Sequence, residues 1–240
     1  MRVLIEKKGL LYLILAYIMA ATAANWFDAR HIQILGLSTG GGSIAFPFTY
    51  ILADVITEVY GYKNTRMTLW IGLVMQSLFI FYARFLLFFI SPNSEHRSAL
   101  NILIELNNWI IIASFANYII SETANSFLVA KMKIWFKGRF IGIRFVFSTF
   151  IAYAVDELIY APIAFHSFLS GKNLVKHMFD SWLFMVVIEI LMLPISVRLA
   201  QYMKSKEQVD IYDTKTDFTP FSLNTTYHVD NNHYRKDQIK

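Results

Sequence analysis

Two acids one helical turn apart, Asp54 and Glu58, interrupt the otherwise apolar stretch PFTYILADVITEVYG at residues 47–61. Positions i and i+4 of a helix share a face. Ionisable groups inside a membrane span face a bundle interior or a watery cavity, so this stretch reads as one wall of a substrate path. The same chemistry recurs downstream. Ser114, Asn117, Ser121 and Asn125 follow at steps of three, four and four, a polar stripe with Glu122 beside it. Hydroxyls and amides can glue helices together, but an acid in hydrocarbon costs roughly 2.5–3.5 kcal/mol even on the lenient insertion scale, so glue explains Glu122 poorly. Thr149, Tyr153, Asp156 and Tyr160 share another helical face, and Glu189 stands in the last apolar run. The acids of the apolar runs are thus Asp54, Glu58, Glu122, Asp156, Glu157 and Glu189, against two bases, Arg84 and Arg144, both near run ends. Unpaired buried carboxylates take up protons or await a donor-rich or cationic ligand, and either outcome suits a transporter. Glu157 and Glu58 are the acids expected to sit at the interface or to neutralise an arginine.

The elements that must position these groups are membrane helices. The chain has 240 residues, is 56% hydrophobic and has a mean hydropathy of +0.44, well above the ~45–50% apolar content of soluble domains. Runs of about 20 apolar residues, the length that crosses a bilayer, occur six times, near residues 9–27, 44–61, 67–90, 108–129, 140–165 and 181–202. The expected fold is an all-α integral membrane bundle of six transmembrane helices over residues 1–203. A polar, mostly disordered cytoplasmic tail is expected over 204–240. Beside the spans, Arg2, Lys7, Lys8, Lys63, Arg66, Lys131, Lys133, Lys137, Arg139, Lys204 and Lys206 fall on one side, and Arg30, Arg97, Lys172 and Lys176 on the other. The positive-inside rule then predicts both termini in the cytoplasm.

Smaller signals carry less. Ala16, Ala20 and Ala24 recur every four residues in the first span, a small-residue face for packing inside the bundle or for docking a separate energising subunit. Gly40, Gly41 and Gly42 read as a flexible turn before the second span, Arg84 as a snorkelling end residue, and Pro194 as a bend in the sixth span. Gly36, Leu37, Ser38, Thr39 and Gly40 fit G-x-S-x-G, but that motif needs a sharp strand-to-helix turn and a placed histidine. His31, His96 and His166 lack supporting spacing, so no catalytic residue is assigned. Cysteine is absent, the six histidines are scattered, and no H-E-x-x-H helix occurs. No metal or cofactor is expected. The net charge of +5 lies mostly in loops beside the spans without a nucleic-acid-binding motif, so direct nucleic-acid binding is not expected.

Taken in order, several pieces resemble a known family. They are Pro47, Asp54, Glu58 and Gly61 with their spacing; Ser-Glu-Thr-Ala-Asn-Ser at residues 121–126; Lys137, Gly138 and Arg139; and Arg144, Ser148 and Thr149 leading to Asp156. In the tail, Lys206, Glu207, Asp210, Tyr212 and Asp213, then Pro220 and Phe221, continue the pattern. The combination resembles the queuosine precursor transporters, a vitamin uptake transporter-like family, over nearly the full chain. The resemblance implies a six-helix protein of the bacterial cytoplasmic (inner) membrane importing 7-deazaguanines such as 7-cyano-7-deazaguanine or 7-aminomethyl-7-deazaguanine for tRNA modification, with no covalent chemistry. Asp54, Glu58, Glu122, Asn125, Arg144 and Asp156 match the family's polar motifs; Asn117, Ser121 and Tyr153 complete the substrate-binding set expected here. A guanine-like edge offers adjacent N–H donors that a carboxylate accepts in parallel, which makes Glu122 or Asp156 the edge reader. Asn125 would meet the remaining carbonyl, and Tyr153, Tyr160 or Trp109 would stack. Glu157 and Met185 depart from the family, which more often has Ser or Thr at the first position and in many members Lys at the second. Expected partners are the deazapurine and membrane lipid, with a homo-oligomer or an energising subunit left open. The alternative is the substrate-binding subunit of an energy-coupling uptake complex, or an intramembrane enzyme.

Overall fold

The computed structural model describes residues 8–28, 30–91, 94–165 and 169–234. Helix α1 (Lys8–Asp28) leads through a hairpin of β1 (His31–Ile34) and β2 (Leu37–Gly40) to a 3-10 turn (Gly41–Ile44) and α2 (Phe46–Tyr60). Then follow α3 (Tyr62–Leu86), α4 (Glu95–Asn117), α5 (Thr123–Trp135), α6 (Ile141–Ala164) and α7 (Gly171–Glu207). A π-helical turn, Tyr118–Glu122, joins α4 to α5 without a break, so Glu95–Trp135 is one rod.

Among the described residues five rods are long and apolar enough to cross a membrane, namely α1, α3, α4 with α5, α6 and α7. The remaining helix of the expected six, α2, is different. Its 15 residues rise about 22 Å, short of a hydrocarbon core of about 30 Å. Thirteen of the 15 are buried, and α2 packs against α1, α3, α5, α6 and α7. Lipid therefore meets the other rods, which turn Leu11, Met19, Leu78, Ile112, Leu158 and Leu191 outward, while α2 is the axis they enclose. The first turn of α2 tolerates Pro47 because its N–H would be unpaired there anyway.

Several boundaries move. Residues 95–107, expected within a polar loop, begin α4, and α7 starts ten residues before the expected position at Ser181. The presumed loop basics Lys131 and Lys133 lie on α5, and Lys133 is buried. The expected turn at Gly40, Gly41 and Gly42 is a close-packing surface. A Cβ on Gly40 would collide with Asp28, and one on Gly42 with the Ala24 carbonyl. The alanine stripe does not form one face: Ala16 is exposed and Ala24 wholly buried. Four residues advance a helix by 40° more than a full turn, so eight residues carry the stripe about 80° around the axis.

The tail is the largest departure. In place of the disorder expected after Lys204, α7 continues to Glu207, and residues 208–234 fold back over the end of the bundle that holds most of the basic residues. Helix α3 begins with unpaired N–H groups, as every helix does. The tail supplies their acceptors: Tyr62 N–H donates to Asp213 (3.0 Å) and Lys63 N–H to the Tyr227 hydroxyl (2.9 Å). Burial, and then the Asp213 carboxylate, push the Tyr227 phenol up, so it stays a neutral donor to that carboxylate at 2.5 Å. The Arg66 guanidinium is buried against the carbonyls of Asp217, Thr219 and Asn224 at 2.7–3.0 Å. Between α2 and α3, Gly61 has φ +84° and lies against the Tyr227 ring, leaving no space for a Cβ. Arg2, Lys7 and His166 lie outside the described residues.

Candidate functional site

The polar residues of the interior form two groups with opposite electrostatic character. At the basic end, Glu58 is fully buried and held by three cations from three helices. Arg144 of α6 donates Nη1 to Oε2 (2.5 Å) and Nη2 to Oε1 (2.9 Å); Lys204 of α7 donates to Oε1 at 2.5 Å; Lys133 of α5 stands 4.0 Å from Oε1. Lys133 also donates to the Glu58 backbone carbonyl. Asp210, from the folded-back tail, pairs with Lys133 at 2.6 Å and Lys204 at 2.8 Å. Two acids thus face three bases. The bidentate Arg144 fork is the strong geometry for a carboxylate, and buried charges persist only when paired in this way.

One turn earlier on α2 the situation reverses. Asp54 Oδ1 accepts from Asn125 (2.6 Å) and Oδ2 from Thr149 (3.4 Å), and Glu189 of α7 lies within electrostatic reach. Neither oxygen of Glu189 has a hydrogen-bond partner among the described residues. Further from the basic end, Tyr50 and Tyr153 lie ring to ring at 4.5 Å, fully buried. Tyr50 stands against Asn117, with Asp156 and Glu122 close by. Asn117 Oδ1, Ser121 Oγ, Asn125 Oδ1, the Tyr153 hydroxyl and Asp156 Oδ1 are buried without a partner among the described residues. Since nearly all buried polar atoms in folded proteins are bonded, such a concentration makes this region the candidate site for a polar ligand.

The π-helical turn explains how so many polar groups of one rod reach the interior. An α-helix keeps about 100° per residue; one π turn shifts the register, so that Asn117, Ser121, Glu122 and Asn125 are all buried together. Such bulges recur at functional sites. Glu122 is anchored from one side by Tyr17, whose hydroxyl donates to Oε2 at 2.5 Å. The Tyr118 hydroxyl meets that of Tyr17 and accepts from Gln76, which accepts from Asn25, which in turn accepts from Ser114 at 2.9 Å. This chain ties α1, α3 and α4 behind Glu122.

At the end opposite the basic cluster, a small cavity between the hairpin and the helix ends is lined by Asp28, Asp156, Glu157, Tyr160, His177 and Ser181. Asp156 therefore faces both the central group and this mouth. Tyr160 donates to Asp28 at 2.6 Å, and the Ser38 N–H to Asp180 at 3.0 Å, which fixes the hairpin on α7. Burial pushes the His31 imidazole down. The G-x-S-x-G residues form the second residue of the Leu35–Gly36 hairpin turn, whose two residues both have positive φ, and the second strand, not a strand-to-helix elbow.

Of the nine residues expected to bind substrate, Asn117, Ser121, Glu122, Asn125, Tyr153 and Asp156 cluster at the centre, with Asp54 next to them. Glu58 and Arg144 lie apart, bonded to each other. Glu157 is buried, lines the outer mouth, and has Oε2 unpartnered among the described residues. Met185 packs with Tyr50 and Tyr153. Trp109 is 44% exposed and does not line the site, and Tyr160 belongs to the outer mouth. Sequence reasoning missed Tyr50, Tyr17, Gln76 and Asn25. The i−4 spacing of Tyr50 from Asp54 was the available signal for the first.

Residues 40–199, two thirds of the chain, match the family described as "Putative vitamin uptake transporter". The chain belongs to that family. A curated relative, the "Probable queuosine precursor transporter" of Bacillus subtilis (strain 168), is 20% identical over 177 residues, 73% of this chain and 77% of the relative. No solved structure matches the chain. Family membership and the five apolar rods make the protein a multi-pass membrane transporter.

Proposed function

We propose that the protein imports a 7-deazaguanine precursor of queuosine across the bacterial cytoplasmic membrane, 7-cyano-7-deazaguanine and 7-aminomethyl-7-deazaguanine being the compounds to test. The observation that carries this reading is the unpaired acceptors of Asp156, Asn117 and Asn125 beside two buried tyrosine rings. A guanine-like edge presents adjacent N–H donors, which a carboxylate accepts together with charge assistance. Asp156 takes that edge, and Glu122, held by Tyr17, accepts a further N–H. An Asn117 or Asn125 amide answers the ring carbonyl. The tyrosine rings already touch, so the flat ligand stacks on an outer face of the pair and not between its members. The name of the Bacillus subtilis relative, a probable queuosine precursor transporter, supports the same class.

The basic end faces the cytoplasm in this reading, and ligand enters from the hairpin end. The cysteine-free chain allows a direct test. Single cysteines at Ser94 and Asn173 should react with an impermeant thiol reagent added outside cells, and ones at Lys137 and Ser205 should not; the reverse pattern overturns the orientation. Purified protein alone in liposomes should take up 7-cyano-7-deazaguanine unchanged and restore queuosine-modified tRNA to a host lacking synthesis and uptake. Uptake no better than in protein-free liposomes, together with no rescue, overturns the substrate.

A further inference from the structure

The two oxygens of Glu189 are buried without a hydrogen-bond partner among the described residues, and the side chain is 1% exposed. An acid in that condition costs too much to keep charged unless something compensates it. The groups that face it do not. Asp54, on α2, is a second acid; Tyr153, on α6, is a neutral phenol. Arg144 acts on Asp54, but its two terminal nitrogens are occupied by Glu58. Asp54 and Glu189 differ in one respect that decides which keeps a negative charge. Asp54 accepts hydrogen bonds from Asn125 and Thr149, whereas Glu189 accepts none among the described residues.

A second observation points to the same place. The Tyr153 hydroxyl is fully buried and unpartnered among the described residues, and it lies within electrostatic reach of Glu189 and Asp54 on one side and of Asp156 and Glu122 on the other. Both pairs of acids can therefore orient this one hydroxyl.

We propose that Asp54 and Glu189 form a proton site, with one proton on Glu189 and the charge on Asp54, and that this proton is the co-transported ion that drives uptake. With the proton in place the pair carries one negative charge, which Asn125 and Thr149 solvate. When the proton leaves, two facing carboxylates carry two charges, a state stable only when water reaches them. Release of the proton is thereby tied to opening of the bundle toward the basic end. Tyr153 transmits the change, turning its O–H toward the newly charged pair and away from the ligand side, which weakens ligand binding as the exit opens. One proton enters from the outer side, binds Glu189, and leaves on the inner side; no bond other than O–H forms or breaks. The link to uptake rests on the proposed transport of a deazaguanine, whereas the proton site itself does not.

Two measurements keep these parts separate. The infrared spectrum of the purified protein at neutral pH should contain a carboxylic-acid C=O stretch that is lost in Glu189→Gln and retained in Asp54→Asn. A spectrum in which Glu189→Gln removes no carboxylic-acid absorbance overturns the proton site, whatever the substrate. In liposomes, an inward proton gradient should drive accumulation of 7-cyano-7-deazaguanine by the wild type. Glu189→Gln should lose the gradient-driven accumulation yet still exchange labelled for unlabelled compound. Wild-type exchange with accumulation that ignores the proton gradient, or follows a sodium gradient instead, overturns the coupling. Absence of wild-type exchange overturns the substrate assignment and with it the coupling to that compound, and leaves the infrared result to decide the proton.

Discussion

Glu58 and Asp54 occupy the same face of the same helix, yet their surroundings could hardly differ more. Glu58 is gripped by Arg144 and Lys204, with Lys133 beside it, and every cation there has an acid within 4.0 Å. Asp54 looks into a region where Glu189, Asp156 and Glu122 gather without a cation bound to any of them among the described residues. The saturated cluster has no capacity left for a ligand and serves to hold α2, α5, α6, α7 and the tail together. The unsaturated one has little to give stability and keeps part of its hydrogen-bonding capacity free, at Glu189 and at Asp156 Oδ1 among the described residues. Charge satisfaction, more than burial or residue type, separates the scaffold from the candidate site.

That contrast can be broken most forcefully at Arg144. Arg144→Met leaves Glu58 buried without its bidentate partner, which should cost about 3–5 kcal/mol and appear as a large drop in the thermal unfolding temperature in detergent; an unchanged temperature would erase the distinction between the two groups. Next come Glu122→Gln and Asp156→Asn. Each should weaken deazaguanine binding by about 1.5–3 kcal/mol, or roughly ten- to a hundred-fold, with no loss of thermal stability. Normal affinity in both would move the site elsewhere. Tyr50→Phe keeps the ring and removes one hydroxyl, so affinity should fall by about 1 kcal/mol, roughly fivefold, as titration calorimetry would show. The smallest effect on affinity is expected at Asp210→Asn, which should leave deazaguanine binding unchanged. Its side chain is only 11% exposed, and replacing a carboxylate that two lysines share by a neutral amide should cost about 1.5–3 kcal/mol of stability and quicken proteolysis of the tail.

The sequence makes some of this legible and hides the rest for physical reasons. Acids in apolar runs stand out because hydrocarbon gives them no ordinary role, so Asp54, Glu122 and Asp156 are visible before any fold is known. The helical count is nearly so, since length and hydropathy mark five rods; the short α2 shows only as one more apolar run, because nothing local distinguishes a helix surrounded by protein from one surrounded by lipid. Tyr50, Tyr17 and Gln76 stay hidden, as a lone tyrosine or glutamine on a helix is equally at home in packing. The tail misleads most. Its composition is that of an unfolded segment, but its order comes from acceptors delivered to the start of α3 and from a carbonyl cradle around Arg66, and such long-range pairings leave no periodic trace. The G-x-S-x-G match dissolves for the converse reason: its glycines serve a hairpin turn and a close approach to α1.

The arrangement around α2 also bears on how the protein is made. Chain order puts Lys133 75 residues after Glu58, Arg144 86 and Lys204 146. When α2 leaves the ribosome it is therefore a helix of 15 residues carrying two acids, too short and too charged to be stable in lipid, and its counter-charges have not been synthesised. It must wait, sheltered by α1 or by the insertion machinery, until α5 brings the first lysine and α6 the arginine. Membrane insertion of this chain is thus not a sequence of independent spans but a deferred closure, in which the most deeply enclosed helix is the last to become secure.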